Sequence, residues 1–326
     1  MAGVFGIVAI GRNEGERLRR CLASALIAAP WVVYVDSGST DGSVDMARGL
    51  GAEVVALDMS IPFTAARARN AGFRRLAEIA PDVAYVQFVD GDCEFALGWL
   101  ETARQFLAHH PQVAVVCGRL RERHPQRSIY NLLCDMEWDA PAGEAKECGG
   151  NAMVRRTAFE ACGGFRESLI AGEEPEMCLR LRSAGWRVWR LAQNMSWHDA
   201  AMVRFSQWWK RSRRSGHAFA EGAALHGASA ERYWVRECQS ALLWGLAIPL
   251  AVLALALAGG PDYLWLLAVY PLQVARLALN GRRPSRRENW WRAFFLVLGK
   301  FPEMAGVLTY HLRRLKGGET RLIEYK

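Results

Sequence analysis

No two of the eight cysteines in this 326-residue chain stand as Cys-x-x-Cys. This spacing argues against a zinc ribbon or a thioredoxin-like redox site. We expect reduced thiols that are mostly buried, as in cytosolic proteins. The first residues contain no basic segment followed by an apolar core and a small-residue cleavage site, so we expect no secretory signal peptide.

The sequence also has no G-x-G-x-x-G after its first apolar run. The loop at that place, residues 11–16, reads GRNEGE, and its acidic side chains would repel a pyrophosphate. This excludes a nicotinamide-dependent dehydrogenase, which needs glycines there for close approach to the dinucleotide. No internal repeat or low-complexity segment occurs, and this excludes a repeat architecture.

Positive charge is in excess, with a formal net charge of +8, and the excess is local. Basic clusters suit anionic partners such as nucleic acid, phospholipid headgroups or a diphosphate. Both clusters adjoin apolar segments, and no recognisable nucleic-acid module accompanies them, so we predict a membrane partner and no nucleic acid. The clusters are Lys210, Arg211, Arg213 and Arg214, and then Arg282, Arg283, Arg286 and Arg287.

Apolar runs alternate with helical patterns through the first two-thirds of the chain. This alternation predicts an α/β fold with a mostly parallel sheet flanked by helices. Open sheets of this kind bind ligands at the carboxyl ends of their strands. The predicted strands are residues 4–10, 31–35, 53–57, 84–89 and 113–117, and the predicted helices are residues 12–28, 43–50, 64–79 and 97–109.

The C-terminal third contains two apolar segments. Residues 240–258 carry no charge, and residues 263–279 carry only Arg276. About 20 apolar residues span a bilayer, so we predict a two-helix transmembrane hairpin over residues 240–279. Basic residues on both outer sides place the outer ends in the cytoplasm. The alternative is a soluble helical hairpin buried in a dimer. Residues 290–312 mix aromatic and basic side chains, as in an interfacial amphipathic helix.

The strongest local signal for chemistry is Asp90-Gly91-Asp92, directly after an apolar strand. Two carboxylates two residues apart suit Mg²⁺ or Mn²⁺, which are often held by one or two carboxylates together with substrate phosphates. Such a cation neutralises a diphosphate as it leaves, and Gly91 lets the backbone pass close to a ligand. The alternative is an acidic turn without a ligand.

Polar side chains also follow the other predicted strands. Asn13 and Glu14 follow the first strand, and Asp36, after the second, is suited to accept hydrogen bonds from a base or ribose. Ser39 either joins that site or caps the next helix.

A predicted helix between these strands carries Arg67, Arg69 and Asn70. Arginine suits bidentate contact with phosphate. The alternative for these side chains is a solvated helix face.

Taken in order, these segments resemble family 2 glycosyltransferases of the GT-A fold, of the membrane-associated bacterial polysaccharide or exopolysaccharide type. The resemblance covers roughly residues 1–200 and implies inversion at the sugar. It rests on AIGRNE (residues 9–14), VDSGSTD (35–41), RNAG (69–72), DGD (90–92), CGGNAM (148–153), GGF (163–165) and GEEPEMCLRL (172–181).

The resemblance implies a role for each matching residue. The donor nucleotide would lie against residues Asn13, Glu14, Asp36, Ser39, Arg69, Asn70, Asp90 and Gly91. Asp90 and Asp92 would bind the metal and diphosphate, and His198 would be a further metal ligand or a diphosphate contact.

The catalytic base would be Glu174, with Glu173 as the rival and Glu176 as a third possibility. The family usually has aspartate where Glu174 stands. The alternative for this acidic cluster is a helix N-terminus enriched in carboxylates.

We therefore expect an inverting, metal-dependent enzyme that moves one sugar from a nucleoside diphosphate sugar, a UDP-sugar first, to a lipid-linked or growing-glycan acceptor. Residues 207–211 depart from the Q-x-x-R-W element of processive synthases, which favours single addition. The expected location is the inner or plasma membrane, with the catalytic domain cytoplasmic. The alternative is a non-catalytic, membrane-tethered nucleotide or sugar binder. The predicted parts are a catalytic domain (1–200), a basic interfacial segment (201–239), the hairpin (240–279) and an amphipathic tail (280–326).

Overall fold

The computed structural model describes residues 3–281, 283 and 285–316. Arg282 of the second basic cluster and residues 317–326 of the predicted tail lie outside the described residues. The described chain divides into two compact units. The first unit holds residues 3–125 and 137–201, and the second holds residues 126–136 and 202–316.

One mixed sheet forms the centre of the first unit. Its order is β3-β2-β1-β4-β8-β6-β9-β5, with β7 paired to β9. The first four strands of the chain pair in parallel, whereas β8 lies antiparallel between β4 and β6. The strands are β1 (Phe5–Gly11), β2 (Val32–Asp36), β3 (Glu53–Ala56), β4 (Tyr85–Asp90), β5 (Cys93–Phe95), β6 (Val113–Glu122), β7 (Gly143–Glu144), β8 (Ala152–Arg155) and β9 (Arg187–His198).

Helices cover both faces of this sheet, so its central strands are buried apolar runs. Every residue of β2 is buried. The predicted α/β architecture is confirmed. The helices of the first unit are α1 (Glu16–Ala28), α2 (Ser43–Leu50), α3 (Ala65–Ile79), α4 (Trp99–His109), α6 (Arg156–Ala161) and α7 (Glu173–Ser183). Helix α5 (Ile129–Trp138), which follows a 3₁₀ turn at Pro125–Arg127, belongs mostly to the second unit.

Close packing fixes α3 on the sheet. A Cβ at Gly72 would lie 2.4 Å from a methyl carbon of Val8 and 2.8 Å from one of Val35. Only glycine therefore lets α3 approach β1 and β2 this closely. This contact fixes the distance between the sheet and the polar residues one turn earlier on α3, which include Arg69.

The second unit is helical. Its helices α8 and α13 cross closely, because a Cβ at Gly306 would lie 2.1 Å from the carbonyl oxygen of Arg213. The helices are α8 (Phe205–His226), α9 (Val235–Leu242), α10 (Ile248–Gly259), α11 (Val269–Leu279), α12 (Arg286–Leu298) and α13 (Lys300–Leu315), with a π-helix at Leu243–Ala247 and a 3₁₀ helix at Pro261–Ala268.

Two continuous helical stretches have the length and composition to cross a membrane, namely Val235–Gly259 and Arg286–Leu315. The first contains the predicted span 240–258. Residues 263–279, predicted as the second span, instead form part of a 3₁₀ helix and the 11-residue α11. The second long stretch comes from the segment predicted to be amphipathic, because Gly299 keeps helical dihedral angles between α12 and α13.

Candidate active site

Three strand ends bring the sequence motifs to one edge of the sheet. The parallel registers pair Gly11 of β1 with Asp36 of β2, and Ile10 of β1 with Asp90 of β4. The loops that follow these strands therefore emerge side by side. This is the edge at which open α/β sheets bind ligands.

The loops after β1 and β2 hold each other in place. The backbone N–H of Asn13 donates to Ser39 Oγ at 2.9 Å, and Asn13 Oδ1 accepts from the N–H of Thr40 at 2.7 Å. Asn13 has φ of 55°, a left-handed conformation that asparagine tolerates better than most residues. Ser39 does not cap α2, which begins after Gly42. Asn13 and Ser39, which the sequence predicts to contact the donor nucleotide, thus also connect the two loops to each other.

Asp36 is buried and accepts three hydrogen bonds. The hydroxyl of Tyr34 donates to it at 2.8 Å, and the N–H groups of Gly38 and Ser39 donate at 2.9 and 2.8 Å. The pKa of Tyr34 is raised by burial and by the charge of Asp36. Glu14 is also largely buried and forms an ion pair with Arg17 at 2.6 Å.

Arg69 links α3 to the ends of β4 and α7. Its side chain is 3% exposed, and its two terminal nitrogens donate to Asp90 Oδ1 at 2.7 Å and to Glu173 Oε1 at 2.5 Å. Burial alone would lower the guanidinium pKa, but Asp90 and Glu173 together raise it above its ordinary value. A Cβ at Gly150 would lie 2.4 Å from Arg69 Nη2, so this glycine is needed for the guanidinium to fit.

Asn70 points to a different neighbour from Arg69. Its amide donates to the carbonyl oxygen of Phe165 at 2.8 Å and to Glu167 at 3.1 Å, and its oxygen accepts from the N–H of Phe165 at 3.0 Å. These bonds fix the loop before α7. Arg67, which the sequence suggests for phosphate contact or for a solvated helix face, donates to the carbonyl oxygens of Asp58 and Ile61.

The two carboxylates of the Asp-Gly-Asp turn have different neighbours. Asp90 is paired with Arg69 and keeps 38% of its side chain exposed, whereas Asp92 is buried beside His198. Gly91 packs against β1: its N–H donates to the carbonyl oxygen of Ile10 at 2.8 Å, and an added Cβ would lie 3.1 Å from that oxygen. Any larger residue here would have to push the backbone of β1 away by a few tenths of an ångström.

His198 lies between two buried carboxylates. Its Nε2 is 3.3 Å from Asp92 Oδ2, and its Nδ1 is 3.3 Å from Glu122 Oε2. Glu122 also accepts from the N–H groups of Ala200 and His124, both at 3.1 Å. The ring of Trp138 packs edge-on against the imidazole, with centroids 4.7 Å apart.

This arrangement fits a divalent cation on the Asp92 side. A neutral imidazole has one N–H and one lone pair, so it donates to only one of two flanking carboxylates. If Nδ1–H donates to Glu122, the Nε2 lone pair faces Asp92 unless the ring is protonated or a cation lies between them. Carboxylate oxygen and imidazole nitrogen suit Mn²⁺, and carboxylate oxygen suits Mg²⁺. Asp92, Cys93 and His198 have potential ligand atoms within 4.8 Å of one another.

Sequence reasoning missed Glu122. The predicted strand ended at residue 117, but β6 continues to Glu122 through two arginines, Arg119 and Arg121. Three of the last four residues of β6 are charged, so the sequence does not distinguish the buried Glu122 from its half-buried arginine neighbours. Its partner His198 is 76 residues away in sequence, so no local pattern joins them.

Glu173 and Glu174 begin α7 but face different groups. Both oxygens of Glu174 are bound: the N–H groups of Cys148 and Gly149 donate at 2.7 and 2.9 Å, and the thiols of Cys148 and Cys178 donate at 2.7 and 2.9 Å. Burial raises the pKa of the Cys148 thiol, which keeps it a neutral donor. Glu173 instead belongs to the Arg69 ion pair.

Glu176, the third sequence candidate for a base, is completely buried and paired with two arginines. Arg166 Nε lies 3.2 Å from Glu176 Oε1, and Arg180 Nη2 lies 2.8 Å from Oε2. This carboxylate ties α7 to the loop before it. Its contacts are structural.

Comparison with known proteins finds glycosyltransferases similar to this chain. Residues 7–163 match the family described as Glycosyl transferase family 2. The chain is 28% identical over 305 residues to the pre-mycofactocin glycosyltransferase of Mycobacterium tuberculosis, a match covering 87% of this chain and 58% of that protein. It is 28% identical over 170 residues to the succinoglycan biosynthesis protein ExoA of Rhizobium meliloti, covering 48% of this chain and 50% of ExoA. The matches thus span between half and three-fifths of the length of these curated relatives.

Two solved structures share the fold. The mannosyltransferase PcManGT from Pyrobaculum calidifontis, in complex with GDP-Man and Mn²⁺, aligns with a TM-score of 0.65 and 21% identity, covering 95% of this chain and 88% of that one. Staphylococcus aureus TarS aligns with a TM-score of 0.50 and 17% identity, covering 89% of this chain and 55% of that one. The GT-A fold expected from the sequence is confirmed.

Proposed function

The chain belongs to glycosyl transferase family 2, and from this membership we propose that it transfers one sugar from a nucleoside diphosphate sugar to a lipid-linked or growing-glycan acceptor at a membrane surface. The observation that carries the proposal is the pairing of buried Arg69 with both Asp90 and Glu173, beside the Asp92–His198 pair. One guanidinium, three carboxylates and an imidazole thus lie near the carboxyl ends of the parallel strands, the edge at which open α/β sheets bind ligands.

In this proposal, the loops after β1 and β2 bind the nucleoside of the donor. Asn13 and Ser39 keep the loops in register, and Glu14 and Asp36 provide carboxylates for ribose or base. We propose a UDP-sugar as the donor. GDP-mannose is the natural competitor to test, because PcManGT was solved with GDP-Man.

Asp90, Asp92 and His198 would hold Mg²⁺ or Mn²⁺. When bound, the cation neutralises charge that develops on the leaving diphosphate. The support is the chemistry of the donor set and the two carboxylates that flank His198. Arg69 adds a fixed positive charge at the same place, because both Asp90 and Glu173 hold its guanidinium.

We assign the catalytic base to Glu174 and keep Glu173 as its rival. In an inverting displacement, the acceptor hydroxyl attacks the anomeric carbon from the face opposite the diphosphate and passes its proton to the base as the bond to the diphosphate oxygen breaks. One guanidinium joins Glu173 to Asp90, which puts Glu173 on the diphosphate side. Glu174 faces the loop at Cys148 and Gly149 and must shed hydrogen bonds to accept a proton.

Membrane association is the remaining part of the proposal. Four leucines on α10 are 43–81% exposed, and α10 lies in a helical stretch long enough to span a bilayer. An exposed apolar surface of this kind is typical of lipid or partner contact. We propose that the catalytic unit lies at the cytoplasmic face of the inner or plasma membrane.

The test is nucleotide binding and sugar transfer by the full chain in detergent, with UDP-sugars and GDP-mannose, with and without Mn²⁺. We expect metal-dependent binding of one nucleotide, lost in Asp92→Ala. Glu174→Gln should bind that nucleotide as the parent does and lose transfer, whereas Glu173→Gln should weaken nucleotide binding itself. The matched control is Glu53→Gln, whose carboxylate pairs with Arg75 away from the site.

The results separate the candidates. Loss of binding in Glu174→Gln with transfer retained in Glu173→Gln would refute the assignment of roles. Metal-dependent nucleotide binding without transfer to any membrane extract would favour the non-catalytic binder. No metal-dependent binding of any nucleotide would refute the proposed site.

A further inference from the structure

An apolar groove runs between α11 and α12 in the second unit. It has a volume of about 380 Å³ and is lined by Val274, Arg287, Trp290, Trp291 and Phe294. Trp290 and Phe294 are 47% and 45% exposed, and Trp291 is 36% exposed. Four large apolar side chains thus line an open channel.

The composition of the groove selects a class of ligand. Arg287 provides the polar side chain of a lining that is otherwise apolar. A sugar or nucleotide would lose water from many hydroxyl and phosphate groups without finding partners here, which is costly. A hydrocarbon chain has no such groups, and aromatic and aliphatic walls bury it favourably.

Arg287 gives this apolar groove a charged end. Arg287 is exposed, and within the part of the chain that the structure describes it forms no ion pair with a carboxylate. Within residues 283–298, four arginines accompany a single acid, Glu288. The flat guanidinium fork matches phosphate oxygens, so the charge favours an anionic headgroup over a zwitterionic or neutral one.

We propose that this groove binds one hydrocarbon chain of a membrane lipid whose phosphate headgroup has a net negative charge, with the phosphate on Arg287. The inference rests on the proposed membrane association but not on the proposed sugar transfer. The ligand needs both a negative charge and an apolar chain, because Arg287 and the aromatic side chains of the groove lie side by side on α12. A free phosphate ion would leave the aromatic walls uncovered.

The test uses the full chain in phosphatidylcholine nanodiscs with a trace of photoactivatable diazirine alkyl phosphate, or the matched alkyl alcohol. Labelling is mapped to the peptide that carries Trp290 and Phe294. We expect the phosphate probe to label it several-fold more than the alcohol. Arg287→Gln should bring that ratio close to one, and Arg276→Gln, which changes an arginine on α11 outside the groove, should leave it unchanged.

A second variant separates the groove from the general membrane surface. Val274→Trp fills the groove, so labelling of α12 by both probes should fall while labelling of α10 stays constant. Unlabelled alkyl phosphate should compete with the probe, and inorganic phosphate should not.

Four results would overturn the inference. A ratio of one in the parent protein would remove the role of the phosphate, and equal loss in Arg276→Gln would show a diffuse charge effect. Competition by inorganic phosphate would show an anion site without a chain. Complete protection of α12 with α10 labelled would show that a second copy covers the groove. If α10 were unlabelled as well, the proposed membrane association would itself be refuted.

Discussion

Replacing Glu122 by Gln tests whether this buried acid orients His198. The carboxylate accepts from His198 Nδ1 and from two backbone N–H groups, and its residue is 2% exposed. Glutamine keeps the shape but has one acceptor oxygen and no charge. His198 Nδ1 and the N–H of Ala200 both face Oε2, so an amide oxygen in that position keeps both and turns the N–H₂ group towards the N–H of His124. The imidazole then loses the negative charge that strengthens the hydrogen bond directing Nε2 towards Asp92.

The expected loss can be estimated from other histidine sites. Removing the carboxylate that orients a metal-ligating histidine typically lowers metal affinity by about 10- to 100-fold, or about 1.4–2.7 kcal/mol. Leaving a buried donor unsatisfied costs about 1–3 kcal/mol of folding stability. We therefore expect Glu122→Gln to fold with reduced stability and to bind Mn²⁺ about 10- to 100-fold more weakly.

The assay is calorimetric titration of Mn²⁺ into the full chain with saturating nucleoside diphosphate. The matched control is Glu94→Gln, because Glu94 is a partly exposed acid on β5, two strands from Glu122 in the sheet, and pairs with Arg123 at 2.5 Å. In a His198→Ala background, Glu122→Gln should cost no further affinity, since neighbours in one network are not additive. Unchanged Mn²⁺ affinity in the single variant, or equal further loss in the His198→Ala background, would refute the orienting role.

Three further predictions follow from the site. Arg69→Met should lower the free energy of unfolding by about 3–5 kcal/mol, because Glu173 is left buried without its cation. Urea titration of the double variant Arg69→Met, Glu173→Gln should show most of this free energy restored. A double variant as unstable as Arg69→Met alone would contradict the pairing. Gly150→Ala should abolish nucleotide binding, because its added Cβ displaces Arg69. At Gly149 a Cβ would meet no neighbouring atom, so Gly149→Ala should keep nucleotide binding and lose only about 1–2 kcal/mol of stability from the φ of 73°. Equal nucleotide binding by the two variants would contradict this prediction. Burial raises the pKa of the Cys117 thiol to about 12, so the stability that the neutral thiol contributes is complete below pH 9 and is lost as pH rises towards 12. In Cys117→Ala, the free energy of unfolding should therefore fall less steeply between pH 9 and 12, by about 1.4 kcal/mol per pH unit. An unchanged slope would exclude a buried neutral thiol.

The parallel half of the sheet was predictable because its strands are continuous apolar runs. Residues 4–10 and 84–89 were recognised for this reason, and their registers bring the motif loops to one edge. The antiparallel half was not recognised beyond residue 117. Strand β9 contains arginines and tryptophans at half-buried positions, so its hydrophobic pattern is weak.

Side-chain direction explains what the sequence missed in the site. Arg69 and Asn70 are neighbours on α3, yet Arg69 meets Asp90 while Asn70 binds the loop at Phe165. A helical pattern gives the face of a residue but not the partner that long-range packing supplies. The metal, donor and base roles of the named residues stay predictions, because they concern molecules that bind at this edge.

The loop of Cys148, Gly149 and Gly150 supports two carboxylate systems at once. Its first two N–H groups hold Glu174, and its third residue gives room to the guanidinium of Arg69. If Arg69 contacts the donor and Glu174 the acceptor, as proposed, a donor that moves Arg69 also disturbs the groups that bind Glu174. The proposed donor and acceptor sites would then be thermodynamically linked, and by reciprocity each ligand would change the affinity of the other by the same factor. In kinetic measurements, coupling through these three loop residues would appear as a preferred order of substrate binding.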